Sequence, residues 1–502
     1  MSEINLPQLD RRIKWALLLT SLATLAVLLA SALAENVFAP WRIIRGRYAG
    51  ILAEKAGDAR GAALARQFEN RIVQNVLPEL GTVDRCITCH PGVDDPRMTD
   101  QPQPYRAHSG DYLIHHPPEK FGCTVCHRGQ GRALTFEEAK AVGHHWDYPL
   151  LPPEYTQSSC GLCHTGPEVE HRGGEVYALG ERLFGEKGCR ACHRLSGRGG
   201  SLGPALDGVG MKVRGQLPMA GVSGEHTLPQ WLAEHFDSPQ RVVPGSLMKP
   251  PQLSREENTA LTVYMLSLQN RDLPRSYLSP EKHREYYLAA RPAPASGEAL
   301  FSQFCSPCHD TGEIGIYDKF YAAFAPAVRG VAFAQIASAS YVEAVIREGR
   351  PGTAMPAWGA AAGGLSDAEI AELRRYLLAT PVPQGSRLAE PILARAHDPN
   401  YRSTGDAGRG AAIFTRHCTG CHGPGGAGLL APSLVTSTFQ RHAADGFLYA
   451  TIAEGRANTA MPGFLSRGGF FERDIEDVIA YLRKLGGQDR AASPVARAQG
   501  QP

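Results

Sequence analysis

Cys86-Ile87-Thr88-Cys89-His90 is the first of six pentapeptides of the form Cys-x-x-Cys-His in this chain. The others are Cys123-Thr124-Val125-Cys126-His127, Cys160-Gly161-Leu162-Cys163-His164, Cys189-Arg190-Ala191-Cys192-His193, Cys305-Ser306-Pro307-Cys308-His309 and Cys418-Thr419-Gly420-Cys421-His422. Two thiols on one turn can bond the two vinyl groups of a porphyrin, and the next residue then presents its imidazole to the iron. A structural zinc site needs about four protein ligands from paired Cys-x-x-Cys units, and six copies each closed by His do not fit that pattern. The motifs predict six covalently bound c-type haems, with the twelve motif cysteines as thioether positions and His90, His127, His164, His193, His309 and His422 as proximal iron ligands. All 12 cysteines are used in this way, so none remains for a disulfide.

At 502 residues the chain exceeds a single domain. Its hydrophobic fraction of 43% and charged fraction of 20% exclude wholesale disorder, while 54 Gly and 37 Pro predict loop-heavy folding. Lys+Arg 52 against Asp+Glu 50 leaves a formal charge of +2, with no basic excess to hold nucleic acid, which is excluded as a partner. Six haems would bring about twelve propionates and make the mature protein acidic.

Trp15 to Ala34 is a run without a charge, preceded by Arg11, Arg12 and Lys14. It is long enough to cross the hydrocarbon layer as a helix. The positive-inside rule leaves the N-terminus in the cytoplasm and everything after Glu35 on the periplasmic side of the inner membrane. Ala32-Leu33-Ala34 also has the pattern of a signal cleavage site, which would give the same compartment.

The expected architecture is mainly α: a cytoplasmic N-terminus and transmembrane anchor over 1–40, an amphipathic helical stalk over 41–82 and a loop-rich triple-haem domain over 83–174. Within that domain the motif cysteines Cys86, Cys123 and Cys160 are evenly spaced. After it, one pattern repeats three times: an opening helix that ends in the motif, a Pro loop, a Met loop and a closing amphipathic helix. The opening helices carry YALGERLFGEKGCRACH, SGEALFSQFCSPCH and GRGAAIFTRHCTGCH, and the closing helices are expected near 253–268, 365–380 and 470–485. The repeats span 175–272, 296–381 and 407–487. Linkers at 273–295 and 382–406 would let them move as separate beads, and 488–502 reads as a tail.

The repeats resemble class I cytochrome c domains. That resemblance implies a Pro carbonyl that orients the proximal His, matched by Pro204, Pro326 and Pro432, and a Met as sixth iron ligand. The matching positions are Met248, Met355 and Met461; Lys249 departs from the Met-Pro seen at the other two. Met211, Met219 and Met265 read as core fillers.

The triple-haem segment has no Met-Pro loop but six further histidines: His108, His115, His116, His144, His145 and His171. Through VDRCITCH, YRAHSG, HHPPEKFGCTVCHRGQG, HWDYPLLP and SSCGLCH it resembles multihaem cytochromes that accompany bacterial quinol-oxidising cytochrome b complexes. That resemblance implies His108, His116 and His145 as distal iron ligands, with His115, His144 and His171 as alternatives. Met98 is a weaker candidate that reads rather as a surface loop residue, and His226, His235, His283, His397, His417 and His442 read as ordinary surface or helix histidines.

Bis-histidine iron favours a lower potential than His–Met iron, because a thioether stabilises the ferrous state. The order of sites then implies a membrane-anchored electron conduit without a catalytic site of its own. It would run from a quinol-oxidising cytochrome b and iron–sulfur complex to a soluble cytochrome or terminal oxidase. The alternative is a multihaem reductase or peroxidase, which requires one iron with an open face.

Overall fold

A computed structural model describes residues 6–142, 146–287 and 295–488. The chain forms two compact units, Met1–Cys160 with Arg271–Leu278, and Gly161–Asn270 with Ser279–Pro502. The fold is mainly helical. The strands named among the described residues form two short antiparallel pairs, Asn75–Leu77 with Thr82–Asp84 and Ile316–Asp318 with Ala323–Ala325.

The first unit opens with the helix Leu6–Asn36. Its side chains from Pro7 onward are exposed, and it is long and apolar enough to cross a membrane. The expected stalk is not one helix. A helix over Pro40–Glu54 stops before Gly57, and a new one, Ala59–Arg66, starts where Asp58 Oδ1 accepts from the Gly61 N–H at 2.7 Å. Glycine is a poor helix former and Asp a favoured N-cap, so this sequence breaks where it does for local reasons. Nor does the segment stand free. Tyr48 packs with Met98 and Tyr105, and Arg45 lies 4.5 Å over the Phe68 ring. Thr88, inside the first motif, donates to the Val73 carbonyl at 2.6 Å and accepts from its N–H at 3.0 Å. Met98 is fully buried in this cluster, which corrects its reading as a surface residue. From there to Val142 the helices span five residues at most, among them Tyr112–His115, Pro118–Phe121 and Thr124–His127.

In the second unit, opening helices at Glu175–Glu186, Gly297–Phe304 and Ala407–His417 cross closing helices at Arg255–Ser267, Asp367–Leu378 and Glu472–Gln488. One glycine sets each crossing. A Cβ added to Gly180, Gly297 or Gly410 would sit 2.0 Å from Ala260 O, 2.4 Å from Glu372 O or 1.9 Å from Asp477 O. Four residues later an aromatic ring meets a tyrosine of the closing helix: Phe184 with Tyr264 at 5.3 Å, Phe301 with Tyr376 at 5.7 Å and Phe414 with Tyr481 at 5.4 Å.

The repeats are not loose beads. The second and third share one apolar core that runs from Leu300 to Leu482. The segment 382–406 contains a helix, Glu390–His397, whose Ile392, Leu393 and Ala396 are buried. This helix packs against Asp445–Glu454 closely enough that a Cβ on Gly446 would lie 2.1 Å from Arg395 O. Its apolar face and these contacts make it part of the core rather than a tether. The first repeat is joined to the second by Arg198 and Glu369 at 2.5 Å.

Candidate haem sites

Each repeat holds its motif histidine in the same way. His193 Nδ1 lies 2.8 Å from the Pro204 carbonyl, His309 Nδ1 3.1 Å from that of Pro326, and His422 Nδ1 2.8 Å from that of Pro432. A carbonyl only accepts, so Nδ1 carries the proton and Nε2 keeps its lone pair for a metal. Burial, chiefly, lowers the pKa of all three rings, which favours the neutral imidazole that a metal needs. In the first repeat the chain passes so close that a Cβ on Gly203 would sit 2.4 Å from His193 Cε1. In the first unit His90 is likewise lowered by burial and bonded to Gln103 and to the Pro104 carbonyl.

The first cysteine of each of these motifs is a partly buried thiol. Burial pushes Cys189 and Cys305 up to about 12 and Cys418 up to about 11. A structural zinc centre needs a second ligand pair beside each Cys-x-x-Cys, whereas thioether formation uses the one pair with the imidazole beside it. Paired cysteines on one turn beside a neutral, oriented imidazole fit covalent haem. When bound, that group supplies one-electron iron chemistry.

The Met loops of the second and third repeats superpose in their bonding. Thr353 Oγ1 donates to the Arg350 carbonyl at 2.7 Å and accepts from the Met355 N–H at 3.2 Å, and the Arg350 N–H returns to the Met355 carbonyl at 2.9 Å. Thr459, Arg456 and Met461 repeat the pattern at 2.7, 3.2 and 3.0 Å. Met248 sits in a different loop, with its carbonyl held by the Gln240 side chain at 2.6 Å and its N–H on Ser246 Oγ at 3.2 Å. Lys249 has its own partner. It pairs with Asp318, in the hairpin region of the second repeat, and lies 4.8 Å over Tyr321, whose hydroxyl donates to the Leu247 carbonyl at 3.0 Å. The departure from Met-Pro therefore docks one repeat on the next.

In the first unit, His108 and His127 face one another with ring centroids 6.2 Å apart. His108 Nδ1 is 2.8 Å from the Ser109 carbonyl, which leaves its Nε2 available. His116 Nδ1 lies 3.1 Å from the Tyr112 carbonyl. His115 pairs with Asp111 at 3.6 Å on the surface, and His171 is exposed. His144 and His145 lie outside the described residues.

Two groups were not legible beforehand. Asp84, 1% exposed, accepts from the Cys86 N–H at 3.1 Å and from the Cys123 and Thr124 N–H groups at 2.6 and 2.8 Å. One carboxylate thus ties the first motif to the second. Burial alone would raise its pKa, but the hydrogen bonds it accepts hold it below the usual carboxylate value. Asp84, Cys86 and Cys123 form a cluster of ligand type, yet thioether chemistry would use both sulfurs. His235 is the second group. Its ring stacks on Trp231 at 4.6 Å, and burial and then the nearby His193 lower its pKa to about 4. His235 is a helix histidine, as one arm of its reading has it, but a half-buried one rather than an ordinary one; its place on the helix Leu228–Asp237 corresponds to Ile346 and Ile452 in the other two repeats, and that apolar register was the available signal.

A family model described as cytochrome c matches residues 177–269. A second, described as cytochrome c oxidase, cbb3-type, subunit III, matches 292–377 and 405–482. Cytochrome c oxidase subunit 2 of Alkalihalophilus pseudofirmus is 27% identical over 125 residues, which cover 24% of this chain and 34% of that protein. The chain thus spans about a third of that relative's length. Matched cytochrome c segments, paired cysteines and imidazoles held through Nδ1 lead to one identification: the chain is a c-type cytochrome, an electron-transfer protein that binds haem covalently.

Proposed function

We propose that this cytochrome is a hexahaem conduit anchored in the cytoplasmic membrane by Leu6–Asn36, with its haem segments on the periplasmic side. Electrons enter from a quinol-oxidising cytochrome b and iron–sulfur complex and pass through a bis-histidine triple-haem segment over 83–174. They continue through three His–Met cytochrome c domains to a soluble cytochrome or terminal oxidase. His108, His116 and His145 serve the first three irons as distal ligands, and Met248, Met355 and Met461 the last three.

The reading is supported by a change in what accompanies the motif histidines along the chain, an imidazole beside His127 in the first unit and Met loops in the second and third repeats. The His127 ring lies in an edge contact with another imidazole, His108, at 6.2 Å between centroids. The later repeats instead carry Met loops closed by Thr353 and Thr459. Imidazole pairs favour the ferric state and thioether pairs the ferrous state, so electrons run downhill away from the membrane helix. Purification from native membranes in mild detergent tests the proposal. Six haems per chain with co-purifying cytochrome b and iron–sulfur polypeptides are expected. Fewer haems than motifs, or reduction by quinol that does not need those polypeptides, would overturn it.

A further inference from the structure

We propose that Arg350 and Arg456 are reciprocal positioning residues that couple the haem sites of the second and third repeats. Each ties the Met loop of its own repeat to the Pro loop that orients the other repeat's motif histidine. The inference rests on the reading that both repeats hold haem iron between a histidine and a methionine.

The exchange is reciprocal in its carbonyl and ring contacts, and Arg350 adds one bond of its own. Arg350 donates through Nη2 to the Ser433 carbonyl and through Nε to Thr436 Oγ1 at 3.4 Å, with its guanidinium 5.1 Å over the Phe439 ring. Arg456 donates to the Ala327 carbonyl at 2.5 Å and lies 4.8 Å over the Phe333 ring. Ser433 follows Pro432, whose carbonyl holds His422, and Ala327 follows Pro326, whose carbonyl holds His309. The backbone N–H groups of the same two arginines hold the Met355 and Met461 carbonyls. One residue therefore joins the distal side of one site to the proximal side of the other.

Both side chains make these contacts without an ion pair among the described residues. Burial, first, lowers both, and takes Arg456 to about 10, with Tyr341 and Arg350 the charged or titratable neighbours that act on it. The first and second repeats meet without this device, through Arg198–Glu369 and Lys249–Asp318. The arginine exchange is thus a property of one pair of repeats rather than of the fold.

Full-length holoprotein carrying Arg350→Gln or Arg456→Gln tests the coupling through the hyperfine-shifted proton resonances of the axial ligands in the oxidised state. Arg350→Gln is expected to move the His422 Nδ1–H signal, and Arg456→Gln that of His309, so that each substitution is read across the interface. Shifts confined to the substituted repeat, or a lower melting temperature with both signals unmoved, would overturn the proposal. If the glutamine variants do not accumulate, Arg350→Lys and Arg456→Lys retain charge but lose the planar fork, and must show the same crossed pattern at smaller size. Absence of His–Met resonances from these repeats in the unsubstituted protein would instead remove the reading beneath it.

Discussion

Between Asp84 and Val142 the longest helix is the five-residue Phe136–Lys140, while each repeat of the second unit is bracketed by helices of eight to seventeen residues. The buried apolar cluster beside the first motif consists of Tyr48, Met98 and Tyr105, and the cluster shared by the second and third repeats runs continuously from Leu300 to Leu482. Both regions present Cys-x-x-Cys-His on a single turn. The difference is what completes the core. A chain with few apolar side chains per motif cannot offset its conformational entropy alone, so in 83–142 bound haem has to act as core, while the repeats carry much of theirs in protein.

The largest expected effect separates the regions outright. Protein produced without haem attachment should lose protease resistance throughout 83–142, while the 297–482 region keeps helical circular dichroism and resistant fragments. An equally resistant 83–142 would break the comparison. Next, Gly410→Ala should destabilise the third repeat by about 1–3 kcal/mol, because the new methyl meets the Asp477 carbonyl. Gly487→Ala, on the closing helix of the same repeat, where an added Cβ has nothing within 4 Å, is the control that should not lower the melting temperature.

Glu369 gives the pH dependence. Burial alone would raise its pKa, but the Ser366 N–H and the Arg198 guanidinium outweigh burial and hold it below its ordinary value of 4.5. A depressed carboxyl stabilises the fold fully above its unfolded value, and that contribution is lost as pH falls through the folded value. The melting temperature of the second unit should therefore drop below about pH 4.5, and Glu369→Gln should flatten that acid limb at a cost of about 1–3 kcal/mol near neutrality. The smallest effect is expected at Lys249→Met, under about 1 kcal/mol, since the Lys249–Asp318 pair is partly exposed and screened; raising the salt concentration should narrow the gap to the parent protein.

The parts legible in sequence were those written locally. The closing helices near 253–268, 365–380 and 470–485 lie at Arg255–Ser267, Asp367–Leu378 and Glu472–Gln488, because apolar periodicity and the Ser254 and Ser366 caps are short-range signals. Pro204, Pro326 and Pro432 were likewise readable from their place after each motif. The helix break at Gly57 was readable in principle, yet the alternating charge of 51–80 masked it. Helix Glu390–His397 lies in a stretch that reads as a linker because its apolar face is only Ile392, Leu393 and Ala396. The Arg350–Ser433 and Arg456–Ala327 exchange, and the grip of Asp84 on two motifs, depend on segments distant in sequence that meet only in the fold. Periodicity carries no trace of them, although the shared Gly-Arg before each Met loop was visible.

The central claim is an ordered chain of six-coordinate irons, imidazole pairs first and His–Met pairs after. Low-temperature electron paramagnetic resonance on the oxidised protein, followed through a potentiometric titration, reads spin state and order together. Six low-spin haems that divide into a low-potential and a high-potential group are the predicted result. A stoichiometric high-spin haem that binds a small ligand would contradict it and mark a catalytic iron in place of a conduit.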